Sequence, residues 1–490
     1  MIQMKKNINK YLLVLASTIA LTGCSDWLDV NDSPNTAEKV EAGYLFNYVA
    51  VNWSGSRCGG DSYIPFSQAV QSQTDGGDDW GGWGGAYYDF SPYSLGNIWK
   101  HYYSVGGNNL LLAIEQAKNA VPENINAEAQ CKILLAAHIY ECTMIWGDIP
   151  FTEAWKADIK YPHFDTQEVV LNGVIDMLDE AIGMVDLKDK NCIDEYDPYY
   201  KGDMSKWVAL AKSLKFRTLI IMADADPSKA SDIKAMLEAG GMISSVSGNM
   251  EFQYSENAGN ENPKYGINAK YTNGLNTMFF ASNYMIEPMK KYDDARIPVF
   301  FDPGTDGEYR GLNNRQIAEL DEEGDFLTSV IGAYLYRKDC PDLLYSYQEQ
   351  LLFEAEIYAR GLGVTQDLSK ANSLFQAGVK AGCEYYKADA LKTAAFLAAL
   401  PDLSTLSADK AIEEIHIQQW IDLMDRPLEG FIQWRRSGTI GSEIPQLKVP
   451  QEATAKDLFR RWSYPDDEVS GNINAPKESP KIWEALWFDK

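Results

Sequence analysis

The chain has 490 residues and a formal net charge of −26, with 70 acidic residues against 44 basic ones. A surface this acidic repels nucleic-acid phosphates, and it excludes attachment to anionic lipids through basic patches. With 45% hydrophobic residues the chain can bury a large core, and its length alone would accommodate two or three domains.

The first 24 residues have the pattern of a lipoprotein signal. A lysine-containing segment at 5–10 precedes an apolar segment at 11–20, which is too short for a membrane span of about 20 apolar residues. The Leu-Thr-Gly-Cys sequence that ends at Cys24 resembles the lipoprotein box of bacteria, in which the cysteine becomes the first mature residue and carries the lipid. We therefore expect a signal peptide over 1–23, a lipid on Cys24 and a tether over 24–40.

Helical spacing of apolar residues dominates the chain after residue 95 and predicts amphipathic helices over 109–118, 127–146 and 204–223. Asp165 and Glu168 have the spacing of a capping box, with Asp165 as the N-cap of another helix. Further helices are predicted over 229–239, 345–361, 368–384 and 407–424. Paired helices of this length predict stacked helical hairpins of the tetratricopeptide type, although the consensus of that repeat is absent.

Two long regions interrupt this helical pattern. Residues 52–95 are rich in glycine, aspartate and aromatic residues, and residues 240–340 contain glycine, asparagine and proline throughout. Loops of this length are uncommon in folded proteins unless they are functional. Because no low-complexity linker divides the chain, we predict one mainly α domain over 41–490 with these two loop-rich insertions.

The sequence lacks the common catalytic and metal-binding motifs, including zinc-protease, Walker A, dinucleotide-binding and nucleophile-elbow patterns. His138 is expected in the core or on the surface, and Cys131 and Cys142 are expected in the core. A calcium loop that began at Asp302 would have Gly304 at its third position and Asn313 where a bidentate glutamate is expected, so we expect a turn over 302–307. The sequence thus predicts no catalysis, cofactor or metal, although 70 acidic residues leave open a hydrolase with an unrecognised carboxylate pair.

Segment 74–90, called the aromatic loop below, combines glycines with aromatic and acidic side chains. Sugar rings place their C–H faces on aromatic rings, and their hydroxyls hydrogen-bond to carboxylates, so this composition suits a saccharide. An extended peptide as ligand, or packing of the rings into the protein's own core, remain alternatives. The candidate ligand-binding residues are Trp80, Trp83, Tyr87, Tyr88, Asp78 and Asp79, with Tyr309 and Arg310 from the second loop-rich region.

Several ordered motifs resemble the SusD/RagB family of nutrient-binding outer-membrane lipoproteins of Bacteroidetes, in its SusD-like branch. The most specific ones lie near the C-terminus, where 429–438 and 460–472 are similar to the family's Trp-x-x-Trp/Arg-Arg-x-Gly and Arg-x-x-Tyr-Pro-x-x-Glu blocks. Further similar motifs lie at 24–35, 146–154, 206–217 and 354–361. Within these motifs we expect Arg435, Arg436, Arg460 and Glu468 to be ion-paired scaffold residues that do not contact the ligand.

The resemblance implies a helical fold with four tetratricopeptide-like units, displayed on the outer face of the outer membrane. It also implies a partner, a TonB-dependent transporter of the SusC type that the lipoprotein covers as a lid. The protein would then capture an oligosaccharide or a peptide and perform no chemistry. Two alternatives remain: a surface-anchored glycan hydrolase, and a helical-repeat scaffold that binds only proteins.

Overall fold

The computed structural model describes residues 40–77, 83–271 and 279–489. Ala42–Lys490 belong to one structural unit, and the helices and strands given below all lie in it. The predicted signal peptide, the lipidated Cys24 and the predicted tether up to residue 39 lie outside the described residues, as do the candidate residues Asp78, Asp79 and Trp80.

Helices form most of the described structure. A π-helical segment, His101–Gly107, joins the third and fourth helices. In chain order the helices are α1 (Ala42–Arg57), α2 (Gly60–Ala69), α3 (Pro92–Lys100), α4 (Asn108–Lys118), α5 (Ile125–Trp146), α6 (Gln167–Met184), α7 (Met204–Met222), α8 (Ala230–Ala239), α9 (Pro263–Tyr271), α10 (Asn283–Lys290), α11 (Ile297–Phe300), α12 (Tyr347–Arg360), α13 (Leu368–Tyr385), α14 (Ala390–Ala399), α15 (Ala408–Asp422), α16 (Pro427–Arg436) and α17 (Asp466–Gly471).

The helices predicted from apolar spacing are confirmed as α4, α5, α7, α8, α12, α13 and α15, with small shifts at their ends. The predicted N-cap of α6 is wrong. Thr166 caps this helix, accepting a hydrogen bond from the backbone N–H of Val169. The Asp165 carboxylate is already used, because it accepts hydrogen bonds from the backbone N–H groups of Phe151 and Thr152 at 3.0 and 2.7 Å.

The first loop-rich region is shorter than predicted. α1 and α2 occupy much of 52–69, and α3 begins at Pro92, so the described irregular residues lie between about 70 and 91. α2 was missed because it has only ten residues and because Pro65, a residue that usually ends or kinks a helix, lies inside it. Within its described residues, the region 240–340 does contain long irregular segments, interrupted by α9, α10, α11 and short strands.

Successive helices pack against one another, with α4 against α5, α5 against α6, and α6 against α7. A second group forms where α12 packs against both α13 and α15. Its core contains Ala355, Phe375, Phe396 and Ile415, which are all buried. This arrangement confirms the mainly α class built from stacked helical hairpins. Over the residues that the structure describes, no helix has both the length and the apolar character needed to cross a membrane.

Short strands connect the two loop-rich regions. A four-stranded antiparallel sheet has the order β1-β5-β7-β6, and two-stranded sheets pair β2 with β3 and β4 with β8. The strands are β1 (Gln73–Thr74), β2 (Ile149–Pro150), β3 (Phe164–Asp165), β4 (Met250–Phe252), β5 (Phe280–Ala281), β6 (Phe301–Asp302), β7 (Val330–Ile331) and β8 (Asp342–Tyr345). Because β1 comes from the first loop-rich region and its sheet partners from the second, the sheet holds the two regions side by side.

Candidate functional site

The aromatic loop starts from a fixed edge of the four-stranded sheet. Gln73 lies opposite Ala281, and Thr74 lies opposite Phe280, in the β1–β5 pairing. Beyond the strand, the backbone oxygen of Gly76 accepts a hydrogen bond from the N–H of Ala318 at 3.3 Å. This backbone pairing brings the beginning of the aromatic loop against residues 315–318 of the second loop-rich region.

An ion pair between the two regions reinforces that contact. Arg315 donates to the Asp75 carboxylate through its Nη1 at 2.9 Å and through its backbone N–H at 3.0 Å. The Asp75 side chain is fully buried, whereas that of Arg315 is 20% exposed. Burial alone would lower the pKa of Arg315, but the hydrogen bond with Asp75 raises it overall. The guanidinium is therefore held as a cation at the edge of the loop.

Tyr87 lies beside this guanidinium. The Cζ atom of Arg315 lies 5.2 Å from the centre of the Tyr87 ring, within the range of a cation–π contact. The ring is half-buried, and the Tyr87 backbone oxygen accepts a hydrogen bond from Thr454. A carboxylate oxygen of Glu452 lies 3.6 Å from Arg315 Nη2. A ring, a cation and a carboxylate thus meet at one place on the surface.

Trp83 lies earlier in the same loop and is half-buried. Its ring packs against the start of α2, where a Cβ on Gly60 would come within 2.7 Å of the ring. The next residue must be glycine: Gly84 has a φ of +73°, and a Cβ there would overlap the backbone oxygen of Asp89. The positive φ of Gly84 therefore fixes the backbone turn that directly follows Trp83.

Tyr88 lies in the interior and presents no face to a ligand in this structure. It is 2% exposed, its hydroxyl donates to the backbone oxygen of Ala69 at 3.1 Å, and its ring stacks on Phe90 and contacts Phe459. Burial raises the pKa of the Tyr88 hydroxyl. Tyr88 therefore packs into the protein's own core, which was one of the alternatives to ligand binding for the rings of the aromatic loop.

Tyr309 and Arg310 are placed by contacts within the second loop-rich region. Arg310 donates to both carboxylate oxygens of Asp306, which lowers the pKa of Asp306 to about 2, and to the backbone oxygen of Leu327. Tyr309 is half-buried. Its burial, and to a smaller extent the negative charge of the nearby Asp302, raise the pKa of its hydroxyl. Residues 302–310 form the expected turn, since Gly304 and Glu308 share a backbone hydrogen bond.

Sequence reasoning missed the residue that connects the two regions, Arg315. Its partner Asp75 is 240 positions away in the chain, and the pairing depends on β1 and β5 meeting in the sheet. No local motif marks such a contact. Among the described residues, no group of three or more histidine, cysteine, aspartate or glutamate side chains is arranged to hold a metal ion.

Two of the family-motif residues expected to be ion-paired scaffold are buried in such pairs. Arg436 pairs with Glu356, and Arg460 pairs with Glu443 and Asp489.

The other two motif residues hydrogen-bond to uncharged groups. Arg435 is buried and donates to the backbone oxygens of Phe431, Arg460 and Met144. Burial lowers its pKa to about 9. Glu468 accepts a hydrogen bond from the Asn472 side chain. The three arginines thus connect distant segments of the frame, whereas the Glu468 contact is local, and the expected ion pairing is wrong for Arg435 and Glu468.

Comparisons with known proteins agree with this architecture. A SusD-like family model, described as starch-binding and associating with the outer membrane, matches residues 34–465. Among solved structures, a chitin-binding protein has 22% identity and a TM-score of 0.77, covering 92% of this chain and 100% of its own. A SusD-like protein from Bacteroides thetaiotaomicron has 19% identity and a TM-score of 0.74, covering 91% of this chain and 98% of its own.

A chitin-binding SusD homologue from Flavobacterium johnsoniae has 18% identity and a TM-score of 0.71, with coverage of 91% and 98%. Identities this low establish a shared fold and leave the ligand of this chain open. No significant match was found among curated proteins.

Proposed function

Because the chain belongs to the SusD-like family, we propose that it is a surface-exposed outer-membrane lipoprotein that binds a nutrient glycan. It delivers this glycan, as a lid, to a TonB-dependent transporter of the SusC type. The protein performs no chemistry on the glycan. Cys24 carries the lipid anchor, and the aromatic loop contributes the ligand-binding surface.

One observation carries this proposal: the described parts of the aromatic loop, 74–77 and 83–90, contact the second loop-rich region so that Tyr87, Arg315 and Glu452 meet at the surface. A half-buried ring held by a cation gives a rigid apolar face on which a sugar ring can stack. The guanidinium and the carboxylate supply hydrogen-bond donors and acceptors for hydroxyl groups. Ring stacking beside such groups is the usual chemistry of saccharide recognition.

The comparisons favour a glycan over a peptide. Two structurally similar proteins are named as chitin-binding, and the family model is described as starch-binding. Starch and chitin oligosaccharides are therefore the first ligands to test for binding. The loops of this chain determine which glycan it prefers.

The test measures binding of the detergent-solubilised full-length lipoprotein to starch and chitin oligosaccharides by isothermal titration calorimetry. Tyr87→Ala and Trp83→Ala should each weaken binding about tenfold, the loss expected when one stacked aromatic ring is removed. Tyr93→Ala is the matched control, because Tyr93 is 81% exposed and lies outside the aromatic loop. Equal affinities in all four proteins would refute the role of the loop.

A separate experiment addresses the transporter and the absence of catalysis. Affinity capture from solubilised outer membranes should recover a large β-barrel protein in near-equal amount. Prolonged incubation with the bound oligosaccharide should release no new reducing ends. Release of such ends would favour the hydrolase alternative, and capture without a barrel would refute the role as a lid.

A further inference from the structure

A second surface feature lies outside the aromatic loop. A cavity of about 270 Å³ opens between β4, the segment before β8 and the C-terminal end of α13. We call it the Lys264 pocket, after the buried lysine at its floor. Its rim and walls include Glu251, Gln253, Tyr334, Arg337 and Tyr385.

The floor of this pocket is polar, and its charges are paired. Lys264 Nζ donates to both oxygens of Asp425, at 2.8 and 2.6 Å, and the lysine side chain is only 2% exposed. Asp342 pairs with Arg57 at 3.2 Å, and Arg426 pairs with Asp422 at 2.9 Å. Because the charges on this floor are already paired, a charged ligand would gain little electrostatic energy there. It would also lose its hydration on entering, so the floor disfavours charged ligands.

The balance of charge in the pocket differs from that of the chain. Four acidic and four basic side chains line it, whereas the whole chain carries 70 acidic and 44 basic residues. Arg337 and Asp339, at the rim, pair with each other at 3.0 Å. Such a pocket attracts neither anions nor cations strongly. It offers charge-assisted hydrogen bonds to neutral donors and acceptors, which are stronger than hydrogen bonds between neutral groups.

Tyrosine rings form the walls. Tyr385 is half-buried and meets the buried Tyr386 edge-on at a centroid distance of 5.0 Å. Tyr334 is held by Arg337, whose Cζ lies 4.1 Å from the ring centre. Gln253, at the exposed rim, adds an amide. Tyrosine rings and hydrogen-bonding groups that line the same pocket suit a ligand that has both an apolar face and hydroxyls.

The size of the pocket limits the ligand further. Pockets that enclose drug-sized molecules measure about 300–1,000 Å³, so a volume of about 270 Å³ suits a ligand of about one ring. The pocket is also linked to β1, the strand that leads into the aromatic loop. Tyr63 donates to Asp425 at 2.9 Å and accepts from Gln73 of β1 at 2.6 Å.

We propose that the Lys264 pocket binds one neutral sugar ring, the terminal or branch residue of the glycan whose chain lies on the aromatic loop. This inference rests on the proposed glycan-binding function. Tyr385 provides the stacking face, Gln253 and Glu251 hydrogen-bond to hydroxyls at the rim, and the Lys264–Asp425 pair closes the floor.

The test titrates the full-length lipoprotein with neutral monosaccharides: glucose, galactose, mannose, xylose and N-acetylglucosamine. The wild-type protein should bind at least one of them. Tyr385→Ala should weaken that binding about tenfold through loss of the stacking face, and Gln253→Ala about fivefold through loss of one hydrogen bond. Gln253 is exposed, so its replacement leaves the fold intact even if the Tyr385 variant fails to fold. Tyr93→Ala is the control and should bind as the wild type does.

The outcomes separate this inference from the proposed function. If the wild type binds oligosaccharides but no monosaccharide, or if both pocket variants match Tyr93→Ala, the pocket inference is overturned and glycan binding stands. If no saccharide of any length binds, both fail. Binding of glycine or a dipeptide that the pocket variants abolish would assign the pocket to a zwitterion and overturn the inference.

Discussion

Replacing Arg315 with alanine tests whether the ion pair with Asp75 holds the two loop-rich regions together. The substitution removes the Nη1 hydrogen bond to Asp75 and the contact with the Tyr87 ring, and it leaves the backbone N–H donor in place. Asp75 is then a fully buried carboxylate that has lost its countercharge. The Gly77 backbone oxygen also loses the 3.1 Å hydrogen bond that Arg315 donates.

The size of the effect follows from the burial of the two partners. Removing one partner of a fully buried pair costs about 3–5 kcal/mol. Because Arg315 is 20% exposed and Asp75 keeps one backbone donor, we expect a smaller loss, about 2–3 kcal/mol. Arg310→Ala is the matched control: the Arg310–Asp306 side chains are 39% and 38% exposed, and such pairs contribute about 0–1 kcal/mol.

Amide hydrogen exchange is the appropriate assay, because the loss is local and the melting temperature of so large a chain responds weakly. Peptides covering 71–77 and 316–318 should exchange about 30- to 150-fold faster in Arg315→Ala, the ratio that corresponds to about 2–3 kcal/mol. Peptides from α12 and α13 should be unchanged. If Arg315→Ala and Arg310→Ala exchange alike in 71–77, the ion pair does not hold the regions together.

Two further predictions concern acid stability and the anchor. Burial lowers the pKa of His416 to about 4, so between about pH 6.5 and pH 4 the unfolded chain binds more protons and acidification destabilises the native state. When the pH is lowered from 7 to 5, the free energy of unfolding measured by urea denaturation should fall by about 2 kcal/mol less in His416→Gln than in the wild type. Equal decreases in the two proteins would contradict the low pKa assigned to His416. Cys24→Ala should release folded, glycan-binding protein into the soluble fraction and abolish glycan uptake; uptake that survives would show that the lipid anchor is dispensable.

Local sequence patterns predicted the helices in which apolar residues recur at helical spacing. α4 alternates buried and exposed positions at helical spacing, and α7 has large apolar residues at that spacing, so their limits were predicted to within one or two residues. α2 has only ten residues and contains Pro65, so its sequence did not indicate a helix. Either Asp165 or Thr166 could cap α6. Because the backbone N–H groups of 151–152 hydrogen-bond to the Asp165 carboxylate, Thr166 is the residue that caps the helix.

The candidate site was predictable in composition and unpredictable in geometry. Glycines and aromatic residues in 74–90 identified the segment, and Trp83 and Tyr87 are half-buried there. Whether a given ring faces outward is decided by partners far away in sequence, such as Phe459 beside Tyr88 and Arg315 beside Tyr87. The spacing of residues along the chain carries no information about such contacts.

The arrangement of charge explains why the motifs identify the family without identifying a ligand. The Arg436 side chain is only 1% exposed and pairs with the buried Glu356, so the charge of this motif residue is paired inside the protein. Removing one side of that pair would leave a buried charge and lower stability whatever the ligand is. Arg315, at 20% exposure, lies instead where the fold meets solvent. Substitutions at the motif arginines should therefore change stability with little change in ligand preference, while substitutions of Tyr87 and of Gln253, at the exposed rim of the Lys264 pocket, should change ligand preference with less effect on stability.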